Sequence, residues 1–425
     1  MALTLDSSTY DSGDWAYTNA PAWFTLSTSL TMAAVDGVQV TLTRNAAASE
    51  YAQFILPFNQ AERVHFNLQP WVRDLLTIPN ATAASDSAAL LSTGVVGDRG
   101  NAATSAARID IEFQEIKDGA LLGTALTHTQ YHTRSRLDFN QGPLDFDNWL
   151  TGTGQNTRFL TDREADSGVV TMYGDDSDQG VVAWVNDSIA SNSSTPNTTK
   201  LQVKVYNAAG TQLGSTYLSG AIATSHQSVA SVVYGSKVCY TPVMPANLLS
   251  LGAFTWSSYP NRRCYDAKVV GPSANVHWHF RVNRRTRPCR YDAQQLAWAN
   301  SKGGIDMVRF ELKNRDTVKV KRKQFVKNPF STAGATIGFS GFEPQEETYQ
   351  ASGERIYDLS HKGHTLEEAQ LLESCVRASQ AWIRVGTGRW EPVVIETNSL
   401  TVETQLTGKL FNTAITVRTS QPLTC

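Results

Sequence analysis

At 425 residues the chain can form roughly two to four domains of ordinary size, each with a core that needs no covalent staple. Only 18% of its residues are charged and the formal net charge is -2. That balance excludes a generally basic nucleic-acid binder and a strongly acidic disordered chain. The five cysteines, Cys239, Cys264, Cys289, Cys375 and Cys425, are odd in number and form no C-x-x-C pair. They are expected to be free thiols in a protein made in a reducing cytoplasm, neither a zinc site nor a disulfide framework. Met1-Ala2-Leu3-Thr4-Leu5-Asp6 has neither the basic start nor the apolar core of a signal peptide, and no apolar run reaches membrane-spanning length.

In chain order the pattern is mostly that of half-buried strands. Trp23-Phe24-Thr25-Leu26, Val38-Gln39-Val40-Thr41-Leu42, Tyr51 to Leu56 and Val64 to Leu68 largely alternate apolar with polar residues. Trp71 to Leu76 reads as one helical turn. Residues 80–107, rich in Ala, Ser, Thr and Gly, read as a long loop with a weak helical piece near Ala88 to Leu91. Strict alternation resumes over Ala107 to Phe113, and Asp118-Gly119 supplies a hairpin turn. A boundary is expected near Gly142-Pro143. Strands follow at Val169 to Tyr173, Val181 to Val185, Leu201 to Tyr206, Ser231 to Tyr234, Tyr265 to Val270 and Val276 to Val282, with a hairpin turn at Asn207-Ala208-Ala209-Gly210. One helix is expected from about Thr365 to Gln380. Thr365 and Glu368 form a capping-box pattern, and Leu366, Ala369, Leu372 and Val376 recur at helical spacing. The expectation is a mainly β, multidomain sandwich or barrel architecture with one short helix in the C-terminal domain. The expected domains are 1–142, 143–288 and 289–425.

No pattern names a catalytic residue, and no enzyme activity is expected. G-x-S-x-G, a P-loop and H-E-x-x-H are absent, and Gly303-Gly304 lacks the further glycines of a phosphate loop. The histidine pairs 128/132, 277/279 and 361/364 have no third ligand at motif spacing, so no metal or cofactor is expected. The acidic run Asp175-Asp176-Ser177-Asp178 lacks the closing glutamate of a calcium loop and reads as a solvated turn.

Two basic runs stand out. Arg281, Arg284, Arg285, Arg287 and Arg290 form one; Arg315, Lys319, Lys321, Arg322, Lys323 and Lys327 form the other. Val318 and Val320 alternate with Lys319 and Lys321, which gives a strand with a basic outer face. No interleaved aromatics offer base stacking, so nucleic acid is not the expected partner. An acidic surface on a neighbouring subunit is, and Glu343, Glu346 and Glu347 could supply it across a ring interface. Lysines on an edge strand also guard against unwanted pairing. The interface candidates are therefore Arg284, Arg285, Lys319, Lys321, Lys323, Glu346 and Glu347. A carbohydrate- or receptor-binding module is the alternative, with Trp149, Trp184, Trp256 and Tyr259 as candidate stacking aromatics.

The last third carries a resemblance. Cys289-Arg290-Tyr291 is followed by Asn300-Ser301-Lys302-Gly303-Gly304-Ile305-Asp306, by Ile356-Tyr357-Asp358-Leu359 and the helix, and by Trp390 to Ile395 and Lys409-Leu410-Phe411-Asn412. This succession resembles the C-terminal part of a family of phage virion proteins, tail and virion structural proteins common in phages of Bacteroidetes. The resemblance is loose in the first third and hardly present in the middle. Ile305 stands where the family often has an aromatic residue. The resemblance implies a structural component of a virion, in the tail or tail tip (baseplate or distal tail). Its implied partners are copies of itself in a ring and other tail proteins, with a host-surface glycan as a further partner under the alternative reading. It would be made in the host cytoplasm and located in the virion tail.

Overall fold

A computed structural model describes residues 3–9, 12, 15–17, 22–29, 35–44, 50–59, 61–72, 106–133, 158–185, 200–218, 238–250, 255–270, 278–284, 293–312, 314–326, 330–333, 336–339, 346–364, 366–386, 388–400, 411–419 and 423–424. The protein is mostly β, with several antiparallel sheets. It divides into two compact units. The first holds residues 1–288 with 297–307 and 386–390; the second holds 289–296, 308–385 and 391–425. The boundary expected near Gly142-Pro143 lies outside the described residues, as do the strand at 231–234 and the helical piece at 88–91.

Within the first unit, the N-terminal strands build a sandwich. A three-stranded sheet of Leu3–Ser8, Trp23–Thr28 and Arg63–Asn67 lies over a five-stranded one. The latter runs Trp15–Tyr17, Ala120–Thr133, Ala106–Lys117, Gly37–Arg44, Glu50–Pro57. Alternation aims Phe24, Leu26, Val64 and Phe66 from one sheet, and Val38, Val40, Leu42, Ile109, Ile111 and Phe113 from the other, into one core. The rings of Phe24 and Phe113 sit 5.6 Å apart. The Asp-Gly turn forms as its sequence predicts: Asp118 and Gly119 have φ of 50 and 78, the pair of positive values that a two-residue hairpin turn demands. Asp36 holds this turn, accepting from the Asp118 amide at 2.6 Å and pairing Lys117 at 3.1 Å. Those bonds lower the pKa of its carboxyl.

A second group of strands in this unit repeats the arrangement. Five strands run in the order Val169–Gly174, His279–Arg284, Arg262–Val270, Lys200–Asn207, Gln212–Leu218. A three-stranded sheet joins Val238–Pro242, Val181–Val185 and Phe159–Leu160. Phe159 meets Phe280 edge-on at 4.8 Å, and the buried Trp184 donates from Nε1 to Thr241 Oγ1 at 2.8 Å. The Tyr265 hydroxyl donates to the Val243 carbonyl at 2.6 Å. The turn at 207–210 is held by Asn207 Oδ1, which accepts from the amides of Ala209 and Thr211.

In the second unit the chain places Glu346–His364 between Phe411–Thr419 on one side and Arg315–Val326 on the other. The helix runs Leu366–Val376 and stops short of Gln380. Of the expected face, Leu372 is buried, and the side chains of Leu366 and Ala369 lie outside the described residues. Leu371 and Cys375 are buried too, whereas Val376 is only half-buried. Thr365, the expected cap, lies outside the described residues. Two further short helices, Gln69–Val72 and Pro245–Ser250, lie in the first unit, the former at the turn expected from Trp71 onward.

His132 is fully buried in the first sandwich, and neither of its ring nitrogens has a hydrogen-bond partner. Burial pushes its pKa down to about 3, below the ordinary 6.5. The unfolded chain therefore binds the extra proton between these values, and stability falls as pH drops below about 6.5. Thermal melts between pH 7.5 and 5 should lose up to about 1.4 kcal/mol per pH unit from this group. His132→Leu should flatten that slope; an unchanged slope would remove His132 as its source.

Candidate interaction surface

The strand Arg315–Val326 pairs antiparallel with the start of Glu346–His364 along its full length, from Arg315↔Asp358 to Val326↔Glu346. The basic and acidic stretches picked out in the sequence are thus neighbouring strands of one ribbon. Lys319 lies opposite Glu354, Lys321 opposite Ser352, Lys323 opposite Gln350, Phe325 opposite Glu347 and Val326 opposite Glu346. The lysine row has a cross-strand charge pair at its limit of reach, Lys321 Nζ to Glu354 Oε1 at 4.0 Å, and it is well exposed, so it adds little stability.

Strand alternation gives the ribbon two unlike faces. One carries Lys319, Lys321 and Lys323, then Phe325, with Glu354 and Glu347 on the partner strand. The other carries Val318, Val320, Arg322, Gln324 and Val326, with Arg355, Gly353, Ala351, Thr348 and Glu346 opposite. The lysines and both glutamates at the far end are exposed. So are large apolar side chains on both faces: Val318 47%, Val320 46%, Val326 73%, Phe325 44% and Tyr349 63%. A register shift between Lys323 and Gln324 adds one residue to the acidic strand, and the Phe325 and Tyr349 rings lie 6.2 Å apart. Beyond Ser352 and Gly353, which pair with Thr424 and Leu423, the acidic strand has the basic strand as its described partner. A two-stranded ribbon exposed on both faces is marginal on its own in water.

The other interface candidates lie elsewhere. Arg284 is in the first unit, where it donates to the Pro260 carbonyl at 3.1 Å and pairs Asp176 at 3.5 Å. It is part of an internal network. Arg285 lies outside the described residues. Asp176 also pairs with the buried Arg262, whose guanidinium lies 4.7 Å over the Trp256 ring. Asp178 is buried and accepts from the Asp175 amide at 2.7 Å. The acidic run is therefore a turn whose Asp178 is buried, while Asp175 and Asp176 are half-buried and Ser177 is exposed. The neighbouring Arg281 makes a bidentate pair with the buried Asp266 at 2.8 and 3.0 Å.

Of the candidate stacking aromatics, Trp184 and Trp256 are buried core residues, since each finds an internal acceptor for its indole N–H. Tyr259 is half-buried and Trp149 lies outside the described residues. His128 and His132 face one core, but four residues of strand separate them by about 13 Å, too far to share an ion. His277 and the His364 side chain lie outside the described residues. Among the described residues no group of three His, Cys, Asp or Glu is placed to hold a metal. Cys264 and Cys375 are free thiols.

One buried polar network has no precedent in the sequence reading. The Asn300-x-x-Gly-Gly-x-Asp306 turn, one of the motifs that carry the resemblance, grips residues 160–163 of the same unit. Asp306, wholly buried, accepts from the Thr161 hydroxyl, from the Asp162 amide at 2.8 Å and from Asn300 Nδ2 at 3.0 Å. Asn300 also donates to the Leu160 carbonyl at 2.8 Å and accepts from the Gly304 amide at 2.8 Å. Gly304 is obligatory, because a Cβ there would meet the Leu160 carbonyl oxygen at 2.1 Å. Lys302 donates to the Thr161 carbonyl at 2.7 Å, and Asp162 accepts from the Ser301 amide at 2.9 Å. Burial raises the pKa of Asp306, and so does the Asp162 charge; burial lowers that of Lys302. The signal for this network was the glycine pair beside two polar side chains; its partner, some 140 residues earlier, left no signal.

No family model and no curated protein matches the chain. Among solved structures, the chain is similar to invasin, a bacterial integrin-binding protein, at 8% identity and a TM-score of 0.22. The likeness covers 84% of this chain and 57% of that one, so the chain spans little more than half of invasin. A score that low carries no argument about function.

Asn300→Ala strips partners from several buried groups at once. It should cost about 2–4 kcal/mol, since each unsatisfied buried group costs about 1–3. Urea unfolding of the full chain measures this; a loss under about 0.5 kcal/mol would mean that water replaces the amide freely.

Proposed function

We propose that the chain is a structural subunit that assembles with copies of itself, as a ring in a phage tail or tail tip. The observation that carries the reading is the exposed two-stranded ribbon, which presents apolar and charged side chains on both faces and has little to hold it alone. The resemblance of the last third to virion proteins supports the setting. No helix among the described residues is long and apolar enough to cross a membrane. In this reading the lysine row 319/321/323 of one copy meets Glu347, on the corresponding face, of the next, an unlike-patch contact that closes into a ring.

Mass spectrometry of purified particles tests the setting; their lacking the protein would end it. Reversing Lys321 and Lys323 to Glu tests the contact. The double variant should weaken assembly more at low salt than at high salt, because screening already removes the attraction at high salt. Normal assembly at every ionic strength would take the lysine row out of the interface.

A further inference from the structure

The lysine row explains one face of the ribbon and leaves the valine face unaccounted for. Resting on the assembly reading above, we propose that this valine face is covered by the same face of a second copy. The two ribbons would stack end for end about a twofold axis.

Three observations favour that occupant. First, the free edge of Arg315–Val326 is a poor place to add a strand from another copy. Antiparallel self-pairing there would set Lys319, Lys321 and Lys323 against their own kind, and lysines on an edge are a known barrier to pairing. The association is thereby directed to a face. Second, the valine face has a small, half-buried residue at its midpoint, Ala351 opposite Arg322, so another sheet can approach closely there. Third, its ends complement each other. Val318 and Arg355 are paired at the base, Val326 and Glu346 at the tip. Turning one ribbon end for end over another sets Val326 on Val318 and brings Glu346 near Arg355, which its own Asp316 holds at 3.5 Å. Arg322, at the midpoint on an outermost strand, can run its stem along the face and place its guanidinium beyond the free edge.

The size of the patch sets the strength. From Val318 to Val326 the ribbon is about 27 Å long and about 10 Å wide. Two such faces bury roughly 500–600 Å² in total, below the roughly 1,000 Å² of a stable stand-alone interface. The contact is thus weak between free chains and gains through multiplicity once copies are held in an assembly. Because it is isologous, it pairs copies two by two and would double a ring that the lysine row closes.

Sedimentation equilibrium of the full chain at about 0.5 M salt, where the lysine-row attraction is screened, isolates this contact. The unaltered protein should show a concentration-dependent monomer–dimer equilibrium. Val320→Glu should weaken it at least tenfold, and Gln350→Glu, which adds the same charge on the other face, should leave it unchanged. Circular dichroism of both variants checks that each remains folded. An unaltered chain monomeric at all concentrations, one that associates only when another particle protein is added, or equal loss in both variants would overturn the proposal. A monomeric protein that is nonetheless present in particles would sink the valine-face contact alone; a dimer absent from particles would sink only the virion setting.

Discussion

A β-strand has two edges that need hydrogen-bond partners and two faces whose apolar side chains need cover, and the described structure depends on meeting that double demand. In the N-terminal sandwich it is met for most of the strands' apolar residues, with Trp23 and Ile55 left exposed. Phe24, Leu26, Val38, Val40, Leu42, Val64, Phe66, Ile109, Ile111 and Phe113 reach one shared core. The ribbon of the second unit meets only half of it. Its strands pair with each other, yet valines, a phenylalanine and a tyrosine stay in solvent. The functional proposals follow from this one shortfall.

Several charges of the first unit are settled internally. Arg262, Arg281 and Arg284 each have a carboxylate in the same unit, and Asp178 and Asp306 are consumed by amide and hydroxyl donors. A buried ion pair made this way contributes little net stability, but removing one partner is costly. These residues therefore specify how strands and turns meet and are poor candidates for contacts with other molecules. The lysines of the ribbon differ because they remain in water, where a charge is available to a partner and sensitive to salt.

Much of the fold was legible in the sequence because period-2 alternation is local. The strands at 23–28, 37–44, 169–174 and 200–207, the Asp118-Gly119 turn and the existence of the one long helix could all be read from neighbouring residues. What was not legible depended on distant partners. Trp184 and Trp256 look like exposed turn aromatics until Thr241 and the Pro245 carbonyl are seen to take their N–H groups. The basic and acidic runs look like separate patches until the register places Val326 opposite Glu346. In the helix Leu372 is buried as its spacing implies, and Leu371 and Cys375, one turn apart, are buried with it.

The grip of residues 300–306 on 160–163 also sets an order in time. The carbonyl of Leu160 and the amide of Asp162 find their partners on a turn some 140 residues later. Trp390, further on still, donates to Gln179 at 3.3 Å. As the chain leaves the ribosome at roughly 5–20 residues per second, the first unit waits several seconds for the turn and longer for the tryptophan. Its second group of strands is therefore completed only near the end of synthesis, and a nascent chain halted before residue 300 keeps those polar groups open to water and to misplaced partners.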